Sequence, residues 1–148
     1  MVEVFGIPMI ATAKWSTTML NHVASVLAEL IDNDNDGCAD DPKALKYLLK
    51  KKNGKRYGVI LPNTKSMKGL AHSMKSVKKA GFMPLNIAGL KETIPRCSGL
   101  KFTQSCCDAS IEELFHFLTT GLAGAHPKIF GHKWTSKSKL TNAMDKAR

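Results

Sequence analysis

Apolar residues recur at steps of three and four along five stretches of the chain, and this spacing predicts helices that each bury one face. The helical stretches are residues 15–31, 42–49, 65–80, 110–122 and 140–147. Three shorter stretches are rich in β-branched and aromatic residues and are bounded by turn residues, as strands are. The strand stretches are residues 2–11, 57–61 and 82–87. Pro8 is expected to restrict the first of these to a short or edge strand.

Together these elements predict an α+β fold, a mainly helical single domain with a small sheet, for the whole chain 1–148. Residues 16–52 predict an EF-hand-like helix–loop–helix, and residues 55–90 a basic strand–helix–strand unit of the kind that joins parallel strands. Residues 91–107 hold three cysteines, a proline and a glycine, so we expect an irregular Cys-rich loop there. C-terminal helices are expected over residues 108–148, with Gly121 and Gly124 ending the first of them.

The helix–loop–helix contains the sequence DNDNDGCADD at residues 32–41, which has the spacing of oxygen ligands in a calcium loop. Counted from Asp32, carboxylates occupy the first, third, fifth and ninth positions, and a glycine that permits a sharp turn occupies the sixth. Calcium is therefore the expected metal. The candidate ligands are Asp32, Asp34, Asp36, Cys38, Asp40 and Asp41.

This loop departs from an EF-hand at its twelfth position, where Lys43 replaces the bidentate glutamate. Either Asp40 or Asp41 supplies the missing oxygens, or binding is weak, with Kd in the range of roughly 10⁻⁴–10⁻³ M typical of extracellular modules. The sequence holds no second loop to pair with this one, so a structural ion is favoured over a sensor. A solvated acidic turn without metal is the alternative.

The net charge of +10 is unevenly distributed along the chain. Residues 1–49 contain three Lys or Arg against seven Asp or Glu, whereas residues 50–104 contain thirteen against one. The basic region from Lys50 to Lys101 favours contact with a polyanion, which could be a glycan, a nucleic acid or an anionic surface. The alternative is a merely solubilising surface, since aromatic residues of the kind that single-strand binders interleave are sparse.

Four cysteines, Cys38, Cys97, Cys106 and Cys107, permit two disulfides with three connectivities. Neighbouring Cys106 and Cys107 do not easily pair with each other, so one of them would pair with Cys97 and the other with Cys38. The latter bond would tie the acidic loop to the last third of the chain. Disulfides imply an oxidising compartment, which agrees with calcium because calcium is abundant outside cells.

A second candidate site lies on the helix that follows the cysteines. Glu112 and Glu113 precede His116 by four and three residues, so on a helix a carboxylate and the imidazole can face one target. A zinc ion held there with a third ligand, from His22 or another histidine, would support a zinc-dependent hydrolase. The candidate catalytic residues are His22, Glu112, Glu113 and His116. The third ligand could also come from His126 or His132.

The competing interpretation is that Glu112, Glu113 and His116 serve only to stabilise their own helix. Glu113 completes a capping box with Ser110, and Glu112 is a favourable negative charge in the first helical turn. His116 then only pairs with one of these carboxylates. Whether the chain is an enzyme is left open by these residues.

Three segments carry a resemblance to a known family. They are residues 4–8 (VFGIP), residues 22–37 with His22 and the start of the acidic loop, and residues 108–119 with His116. They resemble a poorly characterised family of secreted proteins from marine invertebrates and microbes. The loop alone is also similar to those of EF-hands, dockerins and thrombospondin type 3 repeats. The family resemblance implies secretion and a functional cluster of His22, Glu112, Glu113 and His116, but the basic middle departs from it.

These observations favour an extracellular, calcium-binding protein with a structural ion and a basic surface, which acts as a binding or matrix-type protein. The alternatives are a zinc-dependent hydrolase and a polyanion-binding protein. No apolar run reaches the roughly 18 residues of a membrane-spanning helix, and the first residues lack the pattern of a secretory signal. Secretion would then mean that a signal peptide is missing from this sequence.

Overall fold

The computed structural model describes residues 1–12, 15–51, 53–62, 67–87, 110–131 and 137–147. The strands are β1 (Val2–Val4), β2 (Ile7–Ala11), β3 (Arg56–Leu61) and β4 (Phe82–Ile87). The helices are α1 (Thr17–Ile31), α2 (Pro42–Leu48), α3 (Met67–Lys79), α4 (Ser110–Ala125) and α5 (Lys139–Ala147). This composition confirms the predicted α+β fold, with helices around one small sheet. The predicted Cys-rich loop over residues 91–107 lies outside the described residues.

The sheet has the strand order β1-β2-β3-β4. β1 and β2 form an antiparallel hairpin, whose turn at Phe5 and Gly6 has φ angles of 48° and 78°. The prediction of one strand over residues 2–11 was therefore wrong, because two successive residues with positive φ reverse the chain. Pro8 lies in an interior strand, which it tolerates because the pairing of β2 with β3 begins only at Met9.

β2, β3 and β4 run parallel, so each pair is joined by a crossover. The predicted strand–helix–strand unit is confirmed as β3–α3–β4. A second crossover, β2–α1–α2–β3, contains the helix–loop–helix and was not predicted as such. The acidic loop is thus the link between two helices of one crossover, and both ends of that crossover are fixed by the sheet.

One apolar cluster forms the core between the sheet and the helices α1, α2 and α4. Its buried members are Val4, Ile7, Met9, Val23, Leu27, Ile31, Leu48, Tyr57, Val59, Leu61, Leu114 and Phe117. On α1 the buried residues belong to the stripe predicted from apolar spacing, which is Leu20, Val23, Leu27, Leu30 and Ile31. On α4 the spacing of apolar residues predicts a buried stripe of Ile111, Leu114, Phe115, Leu118 and Leu122. The inclusion of Ile111 and Phe115 was wrong, since they are 62% and 47% exposed whereas Phe117 is fully buried.

The close contact between α2 and α4 explains two glycines of α4. A Cβ on Gly121 would lie 2.8 Å from Leu48 side-chain atoms and 3.1 Å from the Ala44 carbonyl oxygen. A Cβ on Gly124 would overlap the ring of Tyr47. The prediction that Gly121 ends the helix was wrong, because α4 continues to Ala125, one residue beyond Gly124, and uses both glycines for close packing.

The last described segment begins with a capped helix. The Ser138 hydroxyl accepts a hydrogen bond from the Thr141 backbone N–H (3.2 Å) and lies 3.2 Å from the Phe130 carbonyl oxygen, to which it can donate. This buried serine thereby joins α5 to the chain that follows α4. No helix among the described residues has the length and apolar content needed to cross a membrane, as the sequence predicted.

Candidate functional site

Asp32 ends α1 and organises the acidic loop. Its backbone N–H donates to the Ala28 carbonyl oxygen (2.9 Å), which places the residue at the helix C-cap. Its carboxylate turns into the loop, where one oxygen accepts from the Asp36 N–H (3.1 Å) and the other from the Gly37 N–H (2.9 Å). Asp32 is only 7% exposed, so these two hydrogen bonds compensate for its loss of solvation.

The remainder of the loop is folded by contacts among its own residues. Asn35 and Gly37 have φ angles of 58° and 87°, a backbone conformation that asparagine and glycine adopt most readily. The Asp40 N–H donates to the Ile31 carbonyl oxygen (2.9 Å), and an Asp40 carboxylate oxygen accepts from the Asn33 N–H (3.1 Å). These bonds bring the end of the loop back to its beginning, within ten residues of chain.

The closed loop brings three carboxylates together. One oxygen from each of Asp32, Asp34 and Asp40 lies within 4.8 Å of the others. At that separation each pair of negative charges repels by about 0.9 kcal/mol in bulk water, and by more in the lower dielectric beside a protein. A cation among the three oxygens would convert this repulsion into attraction. The cluster therefore has the donor atoms and the spacing to hold a metal ion.

Two other predicted ligands, Asp36 and Cys38, lie outside this group of three. An Asp36 carboxylate oxygen accepts a hydrogen bond from the Cys38 N–H (2.7 Å). The Asp36 carboxylate also raises the pKa of the Cys38 thiol above its usual range, and Asp32 and Asp34 add to this effect. Cys38 is exposed and its thiol is free in the structure. The other three cysteines lie outside the described residues, and each of the two predicted disulfides includes at least one of them.

The structure gives Asp41 a different role from the predicted one. Its Oδ1 atom accepts from the N–H groups of Lys43 (3.1 Å) and Ala44 (2.9 Å), so Asp41 is the N-cap of α2, with Pro42 at the first helical position. Its Oδ2 atom lies 2.7 Å from the Nε2 atom of His126, just beyond α4. The Asp41 carboxylate is thus occupied by a helix end and a histidine.

The electrostatics of Asp41 follow from these contacts. Burial raises the pKa of its carboxyl, but the hydrogen bonds from Ala44, His126 and Lys43 outweigh burial and hold the pKa below its ordinary value. The side chains of His126 and Asp41 are 24% and 32% exposed, so the pair is only partly screened by water. Sequence reasoning missed this pair, although an aspartate directly before Pro42 is a recognisable capping signal.

The second candidate site contains one loose pair. The Nε2 atom of His116 lies 4.0 Å from an Oε1 of Glu112, and the two side chains are 66% and 72% exposed. Within the described residues, no group of three His, Cys, Asp or Glu side chains close enough to share a metal ion includes His22, Glu112, Glu113 or His116. His126 is engaged with Asp41, and His132 lies outside the described residues.

A small apolar cavity of about 130 Å³ lies beside the acidic loop, between α1, α2 and α4. Its lining is Leu30, Ile31, Asp40, Asp41, Leu45, Leu48, Leu118 and Leu122. Asp40 and Asp41 therefore connect the acidic loop with the interior surface between the three helices.

Comparison of this chain with known protein families, with curated proteins and with solved structures gives no match. The assignment of a function therefore rests on the geometry of the site.

Proposed function

We propose that the acidic loop binds one structural calcium ion and that the protein is an extracellular binding or matrix-type protein stabilised by that ion. The observation that carries the proposal is the convergence of Asp32, Asp34 and Asp40 oxygens within 4.8 Å of one another, between two helices of the core. The ion would hold the end of α1 against the start of α2.

Calcium fits this donor set better than magnesium or zinc. Calcium–oxygen distances of 2.3–2.6 Å allow two ligands on opposite sides of the ion to be about 5 Å apart, which accommodates the observed cluster. Magnesium is usually held by one or two carboxylates and retains several waters, and zinc prefers the nitrogen and sulfur ligands of His and Cys. A loop whose clustered ligands are all carboxylates favours calcium.

A structural role for the ion is favoured by the position of the loop. Asp40 is followed directly by Asp41, which caps α2 and contacts His126 at the end of α4. An ion bound by Asp32 and Asp40 would therefore link α1, α2 and α4. Within the described residues there is no second acidic cluster of this kind, so nothing supports the paired opening motion of calcium sensors.

The extracellular location is supported by the expected affinity. Lys43 occupies the position of the bidentate glutamate, and its backbone N–H is used to cap α2. Without that glutamate we expect Kd near the roughly 10⁻⁴–10⁻³ M of extracellular calcium modules. Such a site would be filled outside cells, where calcium is abundant, and largely empty inside them. The zinc-dependent hydrolase is not supported by a comparable cluster among the described residues.

The test is the thermal stability of Asp34→Asn with and without calcium. Asp34 is exposed and makes one long contact with the Asp36 N–H (3.4 Å), so the variant removes a ligand charge and disturbs little else. With calcium at 10 to 100 times Kd, the wild type should gain about 1.4–2.7 kcal/mol, or about 4–8 °C in Tm. Asp34→Asn should gain almost nothing from calcium, and in excess chelator it should melt no lower than the wild type, because the substitution removes two carboxylate repulsions.

Glu29→Gln is the matched control, since it removes one exposed negative charge from α1 near the loop but outside the cluster. It should retain the full calcium shift. An equal loss of stability for Asp34→Asn in calcium and in chelator would mean that Asp34 acts in the turn and not on an ion. A larger shift with zinc or magnesium than with calcium would contradict the identity of the ion.

A further inference from the structure

α3 presents a line of three lysines and one histidine to solvent. Its sequence, MKGLAHSMKSVKK, contains four lysines and one histidine but no acidic residue. Lys68, His72, Lys75 and Lys79 are all exposed and are spaced by four, three and four residues. At 3.6 residues per turn they fall within about 60° of arc and extend over about 16 Å of helix. We call these four residues the α3 stripe.

The opposite side of α3 faces the protein. Val77 lies about 180° from Lys68 around the helix and is buried. Leu70 and Met74, about 20° and 60° from Val77 around the helix, are partly buried, and α3 packs against β4. Since the buried face fixes the rotation of the helix, the α3 stripe is held pointing directly away from the sheet.

The local structure accounts for only part of this charge, namely Lys79 in the last turn of α3, where the helix dipole favours a cation. Lys68 lies in the first turn of α3, where the helix dipole disfavours a cation, and Lys75 and Lys79 are like charges four residues apart. Within the described residues, no ion pair or hydrogen bond involves a side chain of the α3 stripe. By contrast, Arg56 is paired with Glu3 at 3.0 Å. Unpaired lysines that repel each other and the helix dipole destabilise the isolated helix. Such lysines are expected where a binding partner supplies the compensating negative charge.

We propose that the α3 stripe binds a linear sulfated polysaccharide. The three lysines of the stripe form a straight row of point charges, which fits anionic groups repeated along one extended chain. Lysine ammonium groups suit such ionic contacts, whereas arginine is the preferred residue for bidentate recognition of phosphates and bases. The contact is distinct from the acidic loop and does not require calcium.

Two other polyanions fit the described surface less well. Single-stranded nucleic acid is usually held by aromatic side chains that stack on bases, and α3 has none. Insertion into an anionic membrane needs large apolar side chains beside the lysines. The large apolar residues that are exposed in the described chain all lie outside α3, and the apolar face of α3 is turned toward the sheet.

The test compares two triple variants of the full chain for binding to heparin oligosaccharide. The first combines Lys68→Gln, Lys75→Gln and Lys79→Gln. The control combines Lys128→Gln, Lys139→Gln and Lys146→Gln, which are also exposed and remove the same total charge. Glutamine has nearly the helix propensity of lysine, so both variants should fold. If the first variant does not fold by circular dichroism, Lys75→Gln alone is used.

The α3 variant should lose at least tenfold in affinity, and its slope of log Kd against log salt should fall by about one for each lysine removed. The control should change less than threefold, desulfated heparin should not bind, and excess chelator should have no effect. Equal losses of heparin affinity in both triple variants would overturn the proposal, because they would show that binding depends on the net charge of the protein and not on the α3 stripe. The proposal would also be overturned if heparin did not bind at low salt. The same holds if nucleic acid or phosphatidylserine vesicles bound more tightly than heparin and lost this binding in the α3 variant.

Discussion

The contact between Asp41 and His126 gives the sharpest quantitative prediction. Asp41→Ala removes the N-cap of α2, which costs about 1 kcal/mol, and a hydrogen bond to a partly buried histidine, which costs about 1 kcal/mol more. We therefore expect a loss of about 2 kcal/mol in the free energy of unfolding. For a chain of this length this corresponds to about 4–8 °C in Tm.

A double-mutant cycle isolates the histidine contact. Urea denaturation of the wild type, Asp41→Ala, His126→Ala and the double variant should give a coupling energy of about 1 kcal/mol. Asp41→Asn separates the cap from the charge, because the amide oxygen can still accept from the Lys43 and Ala44 N–H groups. This variant should lose less than Asp41→Ala and keep the full calcium shift in Tm.

Acid denaturation provides an independent check of the same pair. The pKa of the Asp41 carboxyl is lowered in the folded protein, so its contribution to stability is complete above the ordinary aspartate pKa of about 3.9 and is lost as pH falls through the lower folded value. The stability difference between wild type and Asp41→Asn should thus shrink as pH falls below the ordinary aspartate pKa and vanish in strong acid. A coupling energy near zero would refute the contact with His126. Loss of the calcium shift in Asp41→Asn would instead make Asp41 an ion ligand.

Two further predictions concern the packing of α4 and the thiol of the loop. Gly121→Ala should lower the free energy of unfolding by about 2 kcal/mol. The added methyl group would overpack against buried Leu48, which costs about 3 kcal/mol, whereas the better helix propensity of alanine returns about 1 kcal/mol. An unchanged free energy of unfolding in urea denaturation would contradict the close contact of α2 and α4. Cys38 should react slowly with iodoacetamide at neutral pH despite its exposure, because its thiol pKa is raised. Asp36→Asn should lower the thiol pKa and thereby accelerate the reaction. An unchanged rate would show that Asp36 does not set the fraction of Cys38 present as thiolate.

The acidic loop shows which parts of this protein are specified locally. Its turn depends on Asn35 and Gly37, and the carboxylate of Asp32 is bonded to residues four and five positions later. The spacing of aspartates within ten residues was therefore enough to predict a cluster that could hold a metal ion. The stripe of α1 and the β3–α3–β4 unit were equally predictable, because periodicity and turn residues act over short stretches of chain.

The exposed face of α4 and the partner of Asp41 depended on contacts between distant segments. Periodicity allowed either Ile111 or Phe117 to face inward, and the choice was made by packing of α4 against α1 and α2. His126 is 85 residues from Asp41 in sequence, so no local pattern could pair them. Short-range hydrogen bonds and spacing thus determine the elements and the acidic loop. The rotation of the helices, and the contact of the Asp41 carboxylate with His126, are decided only when the helices pack together.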